Sequence, residues 1–186
     1  IVPIPGFWPS GNHKIKTEIV TDKAPSNFRW IGIIKLFFPN SKVIHCTRNS
    51  KDICLSLFKN GFASKELDWC YSQGDIAKYY NMYSKLMNFW NNKIGDFVYN
   101  LSYEKLVSDK DNEIRNLLDF CGLNDEEVCY NHHKSKKTPI KTVSISQARK
   151  PIYSSSVNKN ELYENNLKKM FCLLYTSPSP RDKRQS

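Results

Sequence analysis

Apolar residues recur along this chain at two periods, and the switches between them predict its elements. From Ser26, the residues Phe28, Ile31, Ile34, Leu36 and Phe38 return near helical spacing. That spacing predicts a helix capped by Ser26 and stopped by Pro39-Asn40. Val43 to Thr47 is a short apolar run of strand length, of the kind found inside a parallel sheet. Asn49 or Ser50 then caps a helix whose Ile53, Leu55, Leu57 and Phe58 supply apolar surface. The longest helical pattern runs from Asp75 to Lys93, with Ile76, Tyr79, Tyr80, Tyr83, Leu86, Met87 and Trp90 on one side. Phe97 to Leu101 reads as a second strand, and Tyr103 starts a helical turn. Ile114, Leu117, Leu118 and Cys121 mark a further helix closed by Gly122 as its cap. Asp125 to Asn131 reads as a short helix, while Thr138 to Val157 is polar and has no period. Ile1 to Ile19, punctuated by Pro and Gly, reads as a loop or disordered start. The order helix, strand, helix, helix, strand, helix predicts an α/β fold with right-handed crossovers and a parallel sheet.

Composition narrows this picture only modestly. A chain of 186 residues suits one domain with one sizeable core. The formal net charge of +10 favours polyanionic partners. Lysine accompanied by many Asn and Ile is also what AT-rich coding produces, so the charge carries little functional weight. Five cysteines precede residue 172, at 46, 54, 70, 121 and 129, and none forms a C-x-x-C pair. Cys46, Cys54 and Cys121 fall in apolar contexts, which predicts buried free thiols, a reducing compartment and a cytoplasmic location. His132-His133 has no partner at ligand spacing, so no metal is expected. The longest apolar run, Trp30 to Phe38, is interrupted by Lys35 and is too short to span a bilayer. The Tyr/Trp stripe from Tyr79 to Trp90 reads as core packing, and His45 as a satisfied strand histidine rather than a base.

The candidate chemistry lies between Thr21 and Asn60. Arg48 ends the first predicted strand, and Ser56 follows on the next helix after seven intervening residues. A permanently charged donor fork at a strand end and a hydroxyl on the following helix can both reach one anion. That arrangement predicts an enzyme of phosphorylated nucleotides. Upstream, Thr21-Asp22-Lys23-Ala24-Pro25 offers a second cation, which read by itself is a solvated Lys beside an Asp.

Four segments in order resemble the sulfotransferase superfamily, closest to the bacterial tetratricopeptide-linked and tyrosylprotein sulfotransferases. They are Thr21–Pro25, Phe38–Ser56, Tyr103–Val107 and Val143–Tyr153, within a similarity covering roughly Val20 to Leu167. The resemblance implies a P-loop-NTPase-like three-layer fold, a parallel sheet flanked by helices. It also implies transfer of a sulfuryl group from 3'-phosphoadenosine 5'-phosphosulfate to a hydroxyl or amine, with adenosine 3',5'-bisphosphate as product. Arg48 and Ser56 match the positions that hold the 3'-phosphate, and Tyr103 an aromatic that contacts the nucleotide. Lys23 matches the lysine on the sulfonate side, where a cation neutralises charge building on the bridging oxygen. Ser144 corresponds to a serine near the sulfonate, Gln147 and Lys150 to polar cofactor contacts, and Lys159 to a basic residue beside the phosphate. The acceptor, whether protein tyrosine, sugar or small alcohol, cannot be read, and neither nucleic acid nor a membrane is an expected partner.

The family also begins its catalytic domain with a strand, a Gly/Ser-bearing phosphosulfate loop and a helix, with a general base soon after. Gly6-Phe-Trp-Pro-Ser10-Gly11 has glycines but neither the preceding strand nor the following helix, and is rejected as that loop. Asp22, Asp52 and Glu104 are poor candidates for the base. The expectation is therefore a fragment lacking the first βα unit, with residues 20–171 as the catalytic part. Cys172 to Ser186 resembles a transposase-type sequencing adapter read as protein, and is set apart from the fold. Two other readings are weighed: a nucleotide kinase, which requires a G-x-x-x-x-G-K-[ST] loop, and a basic nucleic-acid-binding module.

Overall fold

The computed structural model describes residues 19–62, 64–134 and 150–174. Pro25–Trp30 forms a 3-10 helix and Ile31–Phe37 continues it as α1. β1 is Val43–Thr47, α2 is Ser50–Lys59 and α3 is Gln73–Ile94. β2 is Val98–Ser102, followed by α4 at Tyr103–Ser108, α5 at Lys110–Cys121 and the single turn α6 at Glu127–Tyr130. Later come a 3-10 turn at Lys159–Tyr163 and a short helix at Lys168–Leu173. The fold is mixed α/β, with a parallel sheet of β1 and β2 among the described residues. Val43 pairs with Val98 and the register holds through Thr47 with Ser102.

The chain divides into two compact units, Ile1–Thr47 with Leu86–Ser154 and Arg48–Lys85 with Ser155–Ser186. In the first, Ile31, Met87, Phe97, Val98, Ile114 and Leu118 are buried. Gly32 on α1 lies against the Trp90 ring, where a Cβ would meet Cη2 at 2.7 Å. The Trp90 indole donates to Phe28 O at 2.9 Å, so ring and backbone fix one another. α5 ends as expected: Gly122 adopts φ +66°, and Leu123 N reaches back to Leu118 O at 2.9 Å.

In the second unit, Cys54 and Leu55 of α2 pack with Ile76 and Ala77 of α3 and with Leu167, Met170, Phe171 and Leu174. Each large apolar side chain buried there contributes about 1.5–3 kcal/mol. Trp69 stacks on Tyr79 with ring centroids 4.0 Å apart, which agrees with core packing for that end of the aromatic stripe.

Four expectations need correction. The helix read from Ser26 instead opens as a 3-10 turn with Ala24 at its cap and no side-chain cap bond. Pro25 fixes the entry, and the helical spacing of the apolar residues does not distinguish the tighter turn. β2 starts at Val98, because Phe97 belongs to the 3-10 turn Gly95–Phe97. Cys46 is exposed and Cys121 only half-buried, whereas Cys70, in the 3-10 turn Lys65–Tyr71 with no apolar period, is buried. Finally, Cys172 and Leu173 lie in the last helix, Leu174 is buried, and Leu173 O accepts from Asn81 Nδ2 at 2.8 Å. The packed chain thus extends beyond residue 171.

Candidate phosphate-holding site

Asn49 starts the site by capping α2. Its side-chain oxygen accepts from Lys51 N at 2.9 Å and Asp52 N at 3.3 Å, a cap worth about 1 kcal/mol. The cap points the first turn so that Asp52 faces inward, fully buried, while Arg48 stands one turn before it. Arg48 Nη2 lies 3.2 Å from Asp52 Oδ2 and also donates to Ser156 O. The Arg48 side chain keeps 24% of its surface exposed, so the charge is anchored but reachable. Ser56 is the next residue along the Asp52 stripe, one turn further and about 6 Å along the axis, and it is exposed.

The carboxylate of Asp52 gathers more than Arg48. Oδ1 accepts from Asn160 N at 2.8 Å and Asn160 Nδ2 at 3.0 Å, and Oδ2 accepts from Asn158 N at 2.9 Å. Burial pushes the Asp52 carboxyl up, but the Asn160 hydrogen bonds and the Arg48 guanidinium outweigh it and hold the group below its ordinary value. Lys159 sits between the two bonded asparagines with its side chain exposed. Arg48, Ser56 and Lys159 therefore share one unit: Arg48 and Ser56 lie four residues either side of the buried Asp52, and Lys159 lies between two residues bonded to it.

The other predicted residues are placed differently. Lys23 is exposed in the unit that carries the strands, next to Asp22, whose Oδ2 accepts from Asn27 Nδ2 at 2.7 Å. Tyr103 opens α4 half-buried and donates its hydroxyl to Tyr153 O at 2.7 Å, tying the end of β2 to the segment after Lys150. Lys150 is exposed, whereas Ser144 and Gln147 lie outside the described residues. His45 Nδ1 lies 2.7 Å from Asn100 Oδ1, and Asn100 Nδ2 donates onward to Asn91 Oδ1 at 3.2 Å. That chain leaves Asn100 Oδ1 as the acceptor and places the imidazole proton on Nδ1. Burial pulls the His45 pKa below its ordinary value, partly opposed by Asn100. Glu104 Oε2 accepts from Ser102 Oγ at 3.0 Å, as part of a helix start rather than an aimed base.

Asp52, Asn158 and Asn160 were not singled out by sequence as parts of this site. The four-residue spacing of Arg48 and Asp52 was visible, but their partners lie 106 and 108 residues further on.

No helix among the described residues is long and apolar enough to cross a membrane. Comparison with known proteins gives two matches. A 38% identical protein of Aquifex aeolicus (strain VF5), described as an uncharacterized protein, aligns over 150 residues. The alignment takes in 80% of this chain but only 20% of that relative, so the chain spans about a fifth of its length. The model of the sulfotransferase family matches residues 7–127, a span that contains Lys23, Arg48, Asp52, Ser56 and Tyr103. An anchored arginine at the end of a parallel strand, within a family match covering most of the chain, leaves one assignment: the chain belongs to the sulfotransferase family.

Proposed function

We propose that this chain carries the 3'-phosphate side of the donor site in a sulfotransferase that uses 3'-phosphoadenosine 5'-phosphosulfate. The observation that carries the reading is the buried Asp52 holding Arg48 at 3.2 Å in the unit that also presents Ser56 and Lys159. The donor supplies an activated sulfuryl group. The chain's own residues supply charge and orientation. Arg48 offers a planar cationic fork to a phosphate dianion, Ser56 a hydroxyl one turn beyond Asp52, and Lys159 a flexible second cation. With Asp52 ionised, the three charged side chains sum to a net positive cluster, which suits a phosphate. By resemblance to the family, this reading assigns Tyr103, Lys150 and Gln147 to the nucleotide and Lys23 and Ser144 to the sulfonate. The cation of Lys23 stabilises the oxygen on which charge develops as the phosphate leaves. The acceptor is a hydroxyl or amine. Among the described residues, Asp52 is unsuited to act as the general base by its burial and four donors, and Asp22 and Glu104 are engaged by Asn27 and Ser102.

The reading predicts that the chain binds adenosine 3',5'-bisphosphate more tightly than ATP in titration calorimetry. Arg48→Ala should weaken the bisphosphate about tenfold or more, since a charge-assisted phosphate contact is worth roughly 1.5–3 kcal/mol. Equal affinity for the two nucleotides, or an unchanged bisphosphate affinity in the variant, would sink it.

A further inference from the structure

We propose that Asp52 is a positioning residue, a buried carboxylate that locks Arg48 and the Ser156–Asn160 turn into one arrangement so that guanidinium and Lys159 present to the same phosphate. The inference rests on the functional reading above and adds the element that organises it. Asp52 has no exposed side-chain surface, and its two oxygens take four donors: Arg48 Nη2, Asn158 N, Asn160 N and Asn160 Nδ2. A carboxylate has about four lone-pair positions, so the set is saturated. Asn158 achieves its bond from a left-handed backbone, φ 59° and ψ 22°, the one positive-φ residue other than glycine among those described. That conformation costs a non-glycine residue free energy, although Asn tolerates it best. The carboxylate therefore selects one conformation of a turn that Asn158 can adopt.

The charge balance argues in the same direction. A carboxylate beside a phosphate-binding arginine lowers the local positive potential and weakens attraction for an anion. A buried ion pair is also poor value for stability alone, because apolar residues of similar volume often do as well. What Asp52 adds is geometry. It ties Arg48, just before α2, to a turn 106 to 108 residues beyond Asp52, and Arg48 reinforces the same link through Ser156 O. Lys159 has pinned neighbours on both sides, so its backbone is fixed while its ammonium stays in solvent.

The test uses the full chain with Asp52→Asn, Arg48→Ala and the double variant, titrated with adenosine 3',5'-bisphosphate and with adenosine 5'-monophosphate. Asp52→Asn should weaken the bisphosphate about tenfold when Arg48 is present and less than twofold in the Arg48→Ala background, with little effect on the monophosphate. Amide exchange should speed up at Asn158 and Asn160 while Ile76 and Met170 stay protected. Asn160→Ala, which removes a single donor, guards against a misfolded Asp52→Asn and should move both readouts in the same direction by a smaller factor. Equal losses in both backgrounds, or unchanged exchange at Asn158 and Asn160, overturn the positioning role while leaving the functional reading intact. A wild-type chain with no preference for the bisphosphate overturns both.

Discussion

The unit of Arg48–Lys85 and Ser155–Ser186 holds Arg48 and the backbone on both sides of Lys159 through a buried carboxylate, whereas the unit carrying the strands places Tyr103 through sheet register and packing. In the first, polar bonds converge on Asp52 beside an apolar cluster of Cys54, Leu55, Ile76 and Met170. In the second, Tyr103 is placed by following β2 directly, and Lys23 stands exposed before a 3-10 turn. A hub transmits any disturbance to all its partners at once. A ladder confines it to neighbours. Arg48 and Lys159 should therefore respond together to changes around Asp52, and the strand-borne residues should not.

Three measurements would break or sharpen that contrast. The largest effect is expected from Met170→Ala, which empties a fully buried position and should cost about 2–5 kcal/mol in chemical denaturation. Amide exchange should show the loss concentrated around Cys54 and Ile76. A loss spread evenly into β1 and β2 would mean that the two units do not respond separately. Next comes Gly32→Ala. Its Cβ would sit 2.7 Å from Trp90 Cη2, and displacing that ring should cost about 1–3 kcal/mol, partly offset by about 1 kcal/mol of helix propensity. A lower melting temperature and a shifted indole fluorescence are expected, whereas an unchanged or raised melting temperature would show that the ring yields freely.

The smallest effect concerns pH. Because Asp52 in the folded chain is held below its ordinary value, its contribution is fully present above about pH 4, the usual Asp range. That contribution is lost as pH falls through the lower folded value. Wild type minus Asp52→Asn stability should thus be flat from neutral pH to about 4 and shrink below it. A difference that grows as pH falls would mean that the folded chain holds Asp52 above its ordinary value instead.

Much of the fold was legible because local chemistry dictated it. Asn49 as a cap, Gly122 in its left-handed turn and the run Val43–Thr47 each announce themselves within a few residues. The parallel pairing agrees with the element order, since parallel strands need a long crossover connection and here helices fill it. Boundaries were less legible where two helix types share one apolar spacing, as at Pro25–Trp30, or where a turn precedes a strand, as at Phe97. Of the site, Arg48 and Ser56 stood out by residue type and spacing. Asp52 was considered only as a base, because a carboxylate in sequence carries no mark of its burial. Asn158 and Asn160 look like loop polar residues until their amides are seen on Asp52.

The separations bridged by these links bear on how the chain finds its fold. Pairing His45 with Asn100 closes a loop of 55 residues, at a chain-entropy cost of about 3.5 kcal/mol. The link from Asp52 to Asn160 spans 108 residues, yet doubling a loop adds only about 0.6 kcal/mol. Contour length therefore hardly separates the strand ladder from the carboxylate hub. The hub must also strip water from an ion before its four donors are all in place, a larger penalty than desolvating the uncharged groups of the strands. A buried carboxylate missing some of those donors would carry that penalty uncompensated, which favours closing the Asp52 cluster as a set.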